Sequence, residues 1–268
     1  MKIKNGKLIQ AVKQVARWGR YWGNRLFNPS EYRRHRRLAN YEIPGGYERI
    51  YFYHIRKTAG TSLNYAFLDH GVDAPDQIYE RLNAKGRAQS GDKVFVRRKY
   101  YIEKGLYYYG FSHIPYHELR LPSNTFTITT FRDPVRRVVS HYKMLRWYDR
   151  EGIDHPCMEV EGEWLGDSFR DFIEAMPKKH LFRQLYMFSP KYEVKEALEN
   201  IKQLKFLMFV ESMDADLDEL QRQIEAELTL RKKKVSVAAP HIEDNILADL
   251  RELLEPEYRL LERVKAAK

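Results

Sequence analysis

Cysteine is almost absent. Cys157 is the only one among 268 residues, so no intramolecular disulfide can form and a reducing compartment is the expected home. Long apolar runs are missing too. No stretch approaches the ~20 residues that a bilayer-spanning helix needs. The N-terminus lacks the apolar core and small-residue cleavage site of a secretory signal. The expected location is the cytoplasm. No grouping of His, Cys, Asp and Glu has metal-ligand spacing, so no metal is expected. There is no internal repeat and no long low-complexity segment. The common nucleoside-triphosphate loop, GxxxxGK[ST], is absent as well.

Acids are scarce in one region only. The chain holds 47 Lys/Arg against 37 Asp/Glu, a formal charge of +10. Such an excess ordinarily suggests nucleic acid, a membrane surface or a polyanionic substrate. Residues 1–40 contain eleven Lys/Arg and a single acid, Glu31, whereas residues 41–268 hold 36 of each sign. The basicity belongs to an arm and not to the body, so nucleic acid is not the expected partner. Within the arm Leu8, Val12, Val15, Trp18, Trp22 and Leu26 recur at spacings of three or four. Lys7, Lys13, Arg17, Arg20 and Arg25 lie between them. This is a basic amphipathic helix with two tryptophans. Residues 7–28 suit peripheral contact with a membrane, and equally suit packing on the body or on a second subunit. Arg33, Arg34, Arg36 and Arg37 extend the charge until Pro44-Gly45-Gly46 breaks the chain. The expected division is an arm over 1–46 and a globular domain over 47–268.

Hydrophobic residues make up 43% of the chain, enough for a large core, and the 19 tyrosines can serve a ligand groove or the edges of that core. The run 51–55 predicts a buried strand, 56–60 a turn, and Thr61 onward a helix burying Leu63, Ala66 and Phe67. Further strands are expected at 94–96, 107–111, 125–131 and 206–210. After the third of these, Asp133 can cap a helix that Pro134 begins, with Val135, Val138, Val139, Tyr142 and Leu145 as its apolar stripe. Helices are also expected near 167–176, 180–188, 192–202, 214–227 and 242–265. Strands alternating with helices predict a three-layer α/β/α domain, P-loop-like, with a central parallel sheet.

The stretch His54-Ile55-Arg56-Lys57-Thr58-Ala59-Gly60-Thr61-Ser62 sets a lysine, a glycine and three hydroxyls between a buried strand and a helix start. Free N–H groups and the dipole at a helix N-terminus make an anion site. Gly60 permits close approach, Thr61 and Ser62 add hydroxyl donors, and Lys57 adds charge. Alone, the segment is equally a capped helix with a surface lysine. Arg132 ends the strand at 125–131, and Arg136 and Ser140 lie four apart on the following helix, away from its apolar stripe. Two strands ending in phosphate-seeking groups suit one nucleotide bound across the carboxyl ends of a sheet. The plainer alternative for Arg132 is a salt bridge with Asp133 or another surface acid.

Lys57-Thr58-Ala59-Gly60-Thr61-Ser62 resembles the 5′-phosphosulfate loop of the membrane-type carbohydrate sulfotransferases. Arg132-Asp133-Pro134-Val135-Arg136-Arg137, with Ser140-His141-Tyr142, resembles their 3′-phosphate motif. The chain resembles the uronosyl 2-O-sulfotransferases and their bacterial relatives, with further likeness at Gln184 and around Leu230-Arg231-Lys232. Members of that family usually have proline where this chain has Arg56, and the animal enzymes usually carry a luminal anchor. The resemblance implies PAPS (3′-phosphoadenosine 5′-phosphosulfate) as donor, PAP as product, no metal, and a hydroxyl-bearing glycan or glycolipid as acceptor. It places Arg56, Lys57, Thr58, Ala59, Gly60, Thr61 and Ser62 around the 5′-phosphosulfate, and Arg132 and Ser140 at the 3′-phosphate. Lys57 would stabilise the leaving oxygen.

A general base typically adds ~10²–10⁴-fold, and histidine suits that work near neutral pH. His113, in Tyr109-Gly110-Phe111-Ser112-His113, follows a strand lying between the two motifs, and related sulfotransferases have a catalytic histidine in a comparable segment. His117 and Glu118 are its rivals. His54 and His141 read as structural. The basic run Arg231-Lys232-Lys233-Lys234 suits closure over a nucleotide, contact with an anionic acceptor, or a solvated loop. Two other functions compete. An ATP-dependent kinase of similar fold would need Mg²⁺ and no 3′-phosphate, and a non-catalytic binder of nucleic acid or polyanion would depend on the arm.

Overall fold

The computed structural model describes residues 41–231 and 242–268. The helix expected over 7–28, the arm through residue 40, and Lys232, Lys233 and Lys234 lie outside the described residues. The strands are β1 (Arg49–Tyr53), β2 (Arg87–Ser90), β3 (Lys93–Val96), β4 (Tyr109–Ser112), β5 (Thr125–Phe131) and β6 (Phe206–Phe209). Between and after them come α1 (Gly60–Leu68), α2 (Pro75–Lys85), α3 (Lys99–Lys104), α4 (Pro134–Arg150), α5 (Met158–Glu161) and α6 (Phe169–Ala175). The C-terminal half adds α7 (Lys178–Leu181), α8 (Arg183–Phe188), α9 (Val194–Ile201), α10 (Met213–Ile224), α11 (Asp244–Leu253) and α12 (Glu255–Ala266).

The strands form one sheet in the order β2-β3-β4-β1-β5-β6. Every neighbouring pair is parallel except β2 and β3, an antiparallel hairpin at one edge. β1 sits centrally between β4 and β5, and all five of its residues are buried. A strand covered on both faces has no solvent side, so its sequence RIYFY is a continuous run without a polar alternation. Alternation returns in what the side chains touch. Ile50 and Phe52 join one core with Leu63 and Phe67 of α1, Ile78 of α2 and Leu220 of α10. Tyr51 and Tyr53 join the other with Val138 and Tyr142 of α4, Leu185 of α8, Ile201 of α9 and Leu260 of α12. Helices therefore cover both faces of a mostly parallel sheet, as the strand–helix alternation predicts.

Local signals behave as expected at the start of α4, where the Asp133 carboxylate accepts the Arg136 N–H at 2.8 Å and Pro134 opens the helix. Elsewhere the structure corrects the sequence expectation. The helix predicted over 242–265 is two, because Pro256 in the first turn of α12 has no N–H with which to continue α11. The helix predicted over 180–188 is broken at Phe182, whose ψ of 47° leaves the helical region. Helices α2 and α3 and strand β2 were not expected; β2, Arg-Ala-Gln-Ser, has no apolar run and is placed by the turn at Gly91 (φ 62°) and by its hairpin partner. The parallel strands β1, β4 and β5 end on the same side of the sheet, which sets residues 54–59, 113–115 and 132–133 side by side.

Thr130 in β5 is fully buried, and its hydroxyl has no hydrogen-bond partner. Thr130→Val keeps the branched shape and removes the unpaired oxygen. It is expected to stabilise the fold by roughly 1–2 kcal/mol. Thermal unfolding checks this, and a lowered midpoint would contradict it.

Candidate active site

The loop joining β1 to α1 turns left-handed at two residues that carry a Cβ, Lys57 (φ 68°) and Ala59 (φ 59°). Thr58 between them is fully buried, and its hydroxyl donates to the Ile55 carbonyl at 2.8 Å. Expected among the hydroxyls facing a ligand, Thr58 instead braces the loop and has only its backbone to offer. Gly60 starts α1 against the ring of His54: a Cβ built at Gly60 would overlap the imidazole. The N–H groups of Gly60 and Thr61, in the first turn, have no intrahelical acceptor. Thr61 is exposed and Ser62 half-buried.

Lys57 is half-buried, and its Nζ lies 3.3 Å from the Met144 sulfur of α4. Burial, followed by the nearby charges of Arg56 and Arg132, lowers its pKa to about 8. The Arg56 guanidinium pairs with the buried Glu161 of α5. The second oxygen of Glu161 accepts from His141 Nε2 at 2.8 Å. Burial opposes ionisation of Glu161, but the His141 hydrogen bond and the Arg56 charge outweigh it and hold the carboxyl below its usual range. Arg56 is thus committed to fixing the loop against α5, the position where a proline ring would stiffen it in the family it resembles.

At the end of β5, Arg132 Nη1 donates to the Lys57 carbonyl at 3.1 Å, while its Nε is buried without a partner. The two motifs, 75 residues apart in sequence, meet at this bond. Asp133 is engaged as the cap of α4, with its other oxygen accepting from Tyr258, so it forms no pair with Arg132. Arg136 is exposed and Ser140 half-buried on α4. Arg137, one residue on, is fully buried and points the other way, donating to the Leu181 carbonyl and lying 3.8 Å from Glu257.

His113 follows β4. Its Nδ1 lies 2.6 Å from the His54 carbonyl. A carbonyl only accepts, so Nδ1 carries the proton and Nε2 keeps a lone pair. Burial lowers the His113 pKa to about 3, partly offset by that hydrogen bond and reinforced by Arg56 and Arg183. The ring is therefore neutral near pH 7. His54 is also neutral: burial and the neighbouring His113 push its pKa well down. Its Nδ1 faces Asn64 Nδ2 at 3.4 Å, and Asn64 in turn accepts from Tyr109 at 2.8 Å. The rings of His54 and His141 are both buried and engaged within the protein, His54 towards Asn64 and His141 with Glu161.

His113 lines a cleft of about 450 Å³ together with Arg97, Glu118, Lys179, Arg183 and Tyr186. The Arg183 guanidinium donates to the His113 carbonyl, and its Nε is buried and unpaired. Burial, with Arg137 and Arg56 nearby, lowers the Arg183 pKa to about 10. His117 does not line the cleft; it is exposed and sits edge-on to Tyr186, 3.8 Å from Glu118. A comparable hollow of about 440 Å³ lies on α10, lined by Asp218, Gln221, Arg222, Glu225, Ala226 and Glu227, remote from this chemistry.

The sulfotransferase family model matches residues 45–258, a span that contains both motifs, His113 and Gln184. This chain belongs to the sulfotransferase family. Two of the solved structures that resemble it are sulfotransferases. A sulfotransferase from Alicyclobacillus acidocaldarius is 14% identical with a TM-score of 0.43, the match covering 81% of this chain and 95% of that one. A mouse sulfotransferase complexed with PAP is 13% identical with a TM-score of 0.33, covering 81% and 67%. No curated protein sequence matches.

In this sulfotransferase Arg231 pairs with Asp69, just beyond the C-terminal end of α1, which is the far end of that helix from Gly60. Among the described residues no helix is long and apolar enough to cross a membrane, and no group of three or more His, Cys, Asp or Glu could hold a metal. Sequence reading missed Glu161, Glu257, Arg97, Lys179 and Arg183. Arg183 and Gln184 did leave a trace, as two polar residues inside the apolar run Leu181-Phe182-Arg183-Gln184-Leu185.

The contact between Gly60 and His54 is open to test. Gly60→Ala is expected to cost roughly 1–3 kcal/mol by overpacking, and much less in a His54→Ala background where the ring is gone. Denaturant unfolding of the single and double variants measures this; equal costs would place the clash elsewhere.

Proposed function

We propose that the protein transfers a sulfuryl group from PAPS to a hydroxyl of a carbohydrate that carries negative charge. The observation that carries this reading is the 3.1 Å hydrogen bond from Arg132 to the Lys57 carbonyl, which merges the two anion-seeking motifs into one crevice. The donor is anionic at both ends, and the residues fit it. Arg132 Nε is a buried, unpartnered donor, and the first turn of α1 supplies free N–H groups.

Bound PAPS supplies a sulfuryl group already activated by its phosphate leaving group. Gly60 and Thr61 N–H groups, with the Thr61 and Ser62 hydroxyls, hold the 5′ side, and Lys57 places a cation where the leaving oxygen gains charge. Arg132 and Ser140 take the 3′-phosphate. Arg56, Thr58 and Ala59 contribute by shaping the loop. His113 accepts the proton of the acceptor hydroxyl at Nε2, its free lone pair being assigned by the bond from Nδ1 to His54. Burial, reinforced by the nearby charges of Arg56 and Arg183, keeps it neutral and its basicity low.

The acceptor side rests on the cleft beside His113. Arg97, Lys179 and Arg183 line it against the single acid Glu118. Arg183 has no carboxylate partner in the described residues and a buried Nε without a hydrogen bond. A carboxylate or sulfate on the acceptor would satisfy it, in a cleft that Tyr186, stacked on Tyr192, also lines.

Calorimetric titration with PAP, AMP and ATP, without and with Mg²⁺, tests the donor. Metal-free PAP binding is expected, at least tenfold tighter than AMP because each charge-assisted phosphate contact contributes roughly 1.5–3 kcal/mol. Arg132→Ala should erase the difference. A preference for Mg²⁺-ATP would replace the reading with a kinase.

The pH dependence follows from Lys57 and His113. Lys57 acts as a cation, so kcat/KM for the donor should fall as pH rises through its pKa of about 8. His113 acts as a neutral base with its pKa lowered to about 3, so it imposes no loss of rate between roughly pH 5 and 7. A steep acid limb near pH 6.5 would exclude His113 as the base. The same assay with a uronic-acid glycan and its carboxyl-reduced counterpart should favour the acidic one.

A further inference from the structure

Behind the crevice lies a buried polar network that the proposed chemistry does not use. Glu257, in the first turn of α12, has no exposed surface. Its Oε1 accepts the N–H groups of Gln184 at 2.6 Å and Leu185 at 3.1 Å, and its Oε2 accepts from Gln184 Nε2 at 3.3 Å. Gln184 then grips Arg132 from both sides: its Oε1 accepts the Arg132 N–H at 2.9 Å and its Nε2 donates to the Arg132 carbonyl at 2.9 Å. The one amide thus meets both backbone polar groups of Arg132 immediately beyond the end of β5. A carboxylate only accepts, so Glu257 permits one orientation of that amide, with Nε2 towards itself and Oε1 towards the Arg132 N–H. The next residue of α12, Tyr258, donates to the second oxygen of Asp133 at 3.0 Å, while the first caps α4 at Arg136.

We propose that α12 is a positioning element for recognition of the donor's 3′-phosphate, acting through Glu257 on Gln184 and through Tyr258 on Asp133. This rests on the assignment of Arg132 to that phosphate. Every backbone polar group of Arg132 is fixed from α8, and the orientation of α8's amide is fixed from α12. The guanidinium, already tethered to the Lys57 carbonyl, is aimed before a ligand arrives. A residue that merely packs the core would, when altered, weaken all nucleotides alike. A positioning residue alters the discrimination between nucleotides with and without a 3′-phosphate.

The test is the ratio of PAP to AMP affinity, measured by calorimetry on the full chain. Glu257→Gln keeps the volume but turns an NH₂ towards Gln184 Nε2 and Arg137, so the amide must release Arg132. The ratio is expected to fall about tenfold, the scale of one hydrogen bond to a charged group, while AMP affinity stays within about twofold. In a Gln184→Ala background Glu257→Gln should leave the ratio unchanged. Tyr258→Phe removes one half-buried hydroxyl and leaves the core intact; it should lower the ratio about threefold, and it decides alone if Glu257→Gln does not fold. An unaltered chain that shows no preference for PAP overturns the donor assignment and this proposal with it. A preference retained in these variants, or PAP and AMP weakened in parallel, overturns the proposal alone.

Discussion

The structure around the crevice depends on holding a left-handed backbone at Lys57 and Ala59. For a residue with a Cβ that conformation costs roughly 1–2 kcal/mol, so the loop keeps it only under restraint from outside. Restraint comes from four directions. Thr58 ties the loop to its own strand at Ile55. Arg56 ties it to α5 through Glu161, which His141 of α4 shares. Arg132 ties it to the end of β5. Gly60 rests on the His54 ring, where no side chain fits. With the backbone so fixed, the N–H groups at the start of α1 are held in direction without a ligand, which is what preorganised recognition of an anion would require.

Charge burial separates the structural arginines from those available to a ligand. Arg132, Arg137 and Arg183 each have a buried Nε without a hydrogen bond, and burial lowers the pKa of all three. Arg137 has Glu257 within 3.8 Å and the Leu181 carbonyl as partner, and it is fully enclosed. Its charge is met inside the protein. Arg132 and Arg183 hydrogen-bond only to carbonyls at the rims of the crevice and the cleft. A desolvated guanidinium without a carboxylate is unfavourable in the free protein, and an arriving anion relieves that cost. Glu211 and Asp133 act on Arg132, and Glu118 on Arg183, without a hydrogen bond, so both guanidinium groups keep an unpaired donor where the two reactants are proposed to bind.

Much of this was legible in the sequence, for identifiable reasons. β1 and β6 are compact runs rich in apolar residues, β5 interleaves threonine with apolar residues, and α1 and α4 carry helical stripes, α4 beside a recognisable cap at Asp133. The candidate anion loop was readable as a loop because Lys57, Gly60, Thr61 and Ser62 fall within six residues at a strand–helix junction. The clamp on Arg132 was not, because Gln184 and Glu257 come from elements 52 and 125 residues further along the chain. The cleft was hidden for the same reason: Arg97, Lys179 and Arg183 each look like one charge on a solvated face, and only the fold brings them to His113. Strand β2 gave no signal because an edge strand of four residues needs no apolar run once a hairpin places it. Pro256, by contrast, was present to be read, and the single helix expected over 242–265 overlooked it.

His54 explains why donor loop and proposed base cannot be separated. Its N–H donates to the Ser112 carbonyl of β4 at 3.0 Å, its own carbonyl accepts from His113 Nδ1 at 2.6 Å, and its ring supports Gly60. The ring centroids of His54 and His113 are 4.4 Å apart. Asn64 of α1 reaches back to His54, and Tyr109 of β4 orients Asn64. One residue at the end of the central strand thus sets the tautomer of His113 and the height of the loop together. A shift of the loop large enough to admit a poorly fitting anion would pull the His54 carbonyl from His113 and release its ring. The geometry of the proposed base is therefore coupled to the height of the β1–α1 loop through His54, by its carbonyl on one side and its ring on the other.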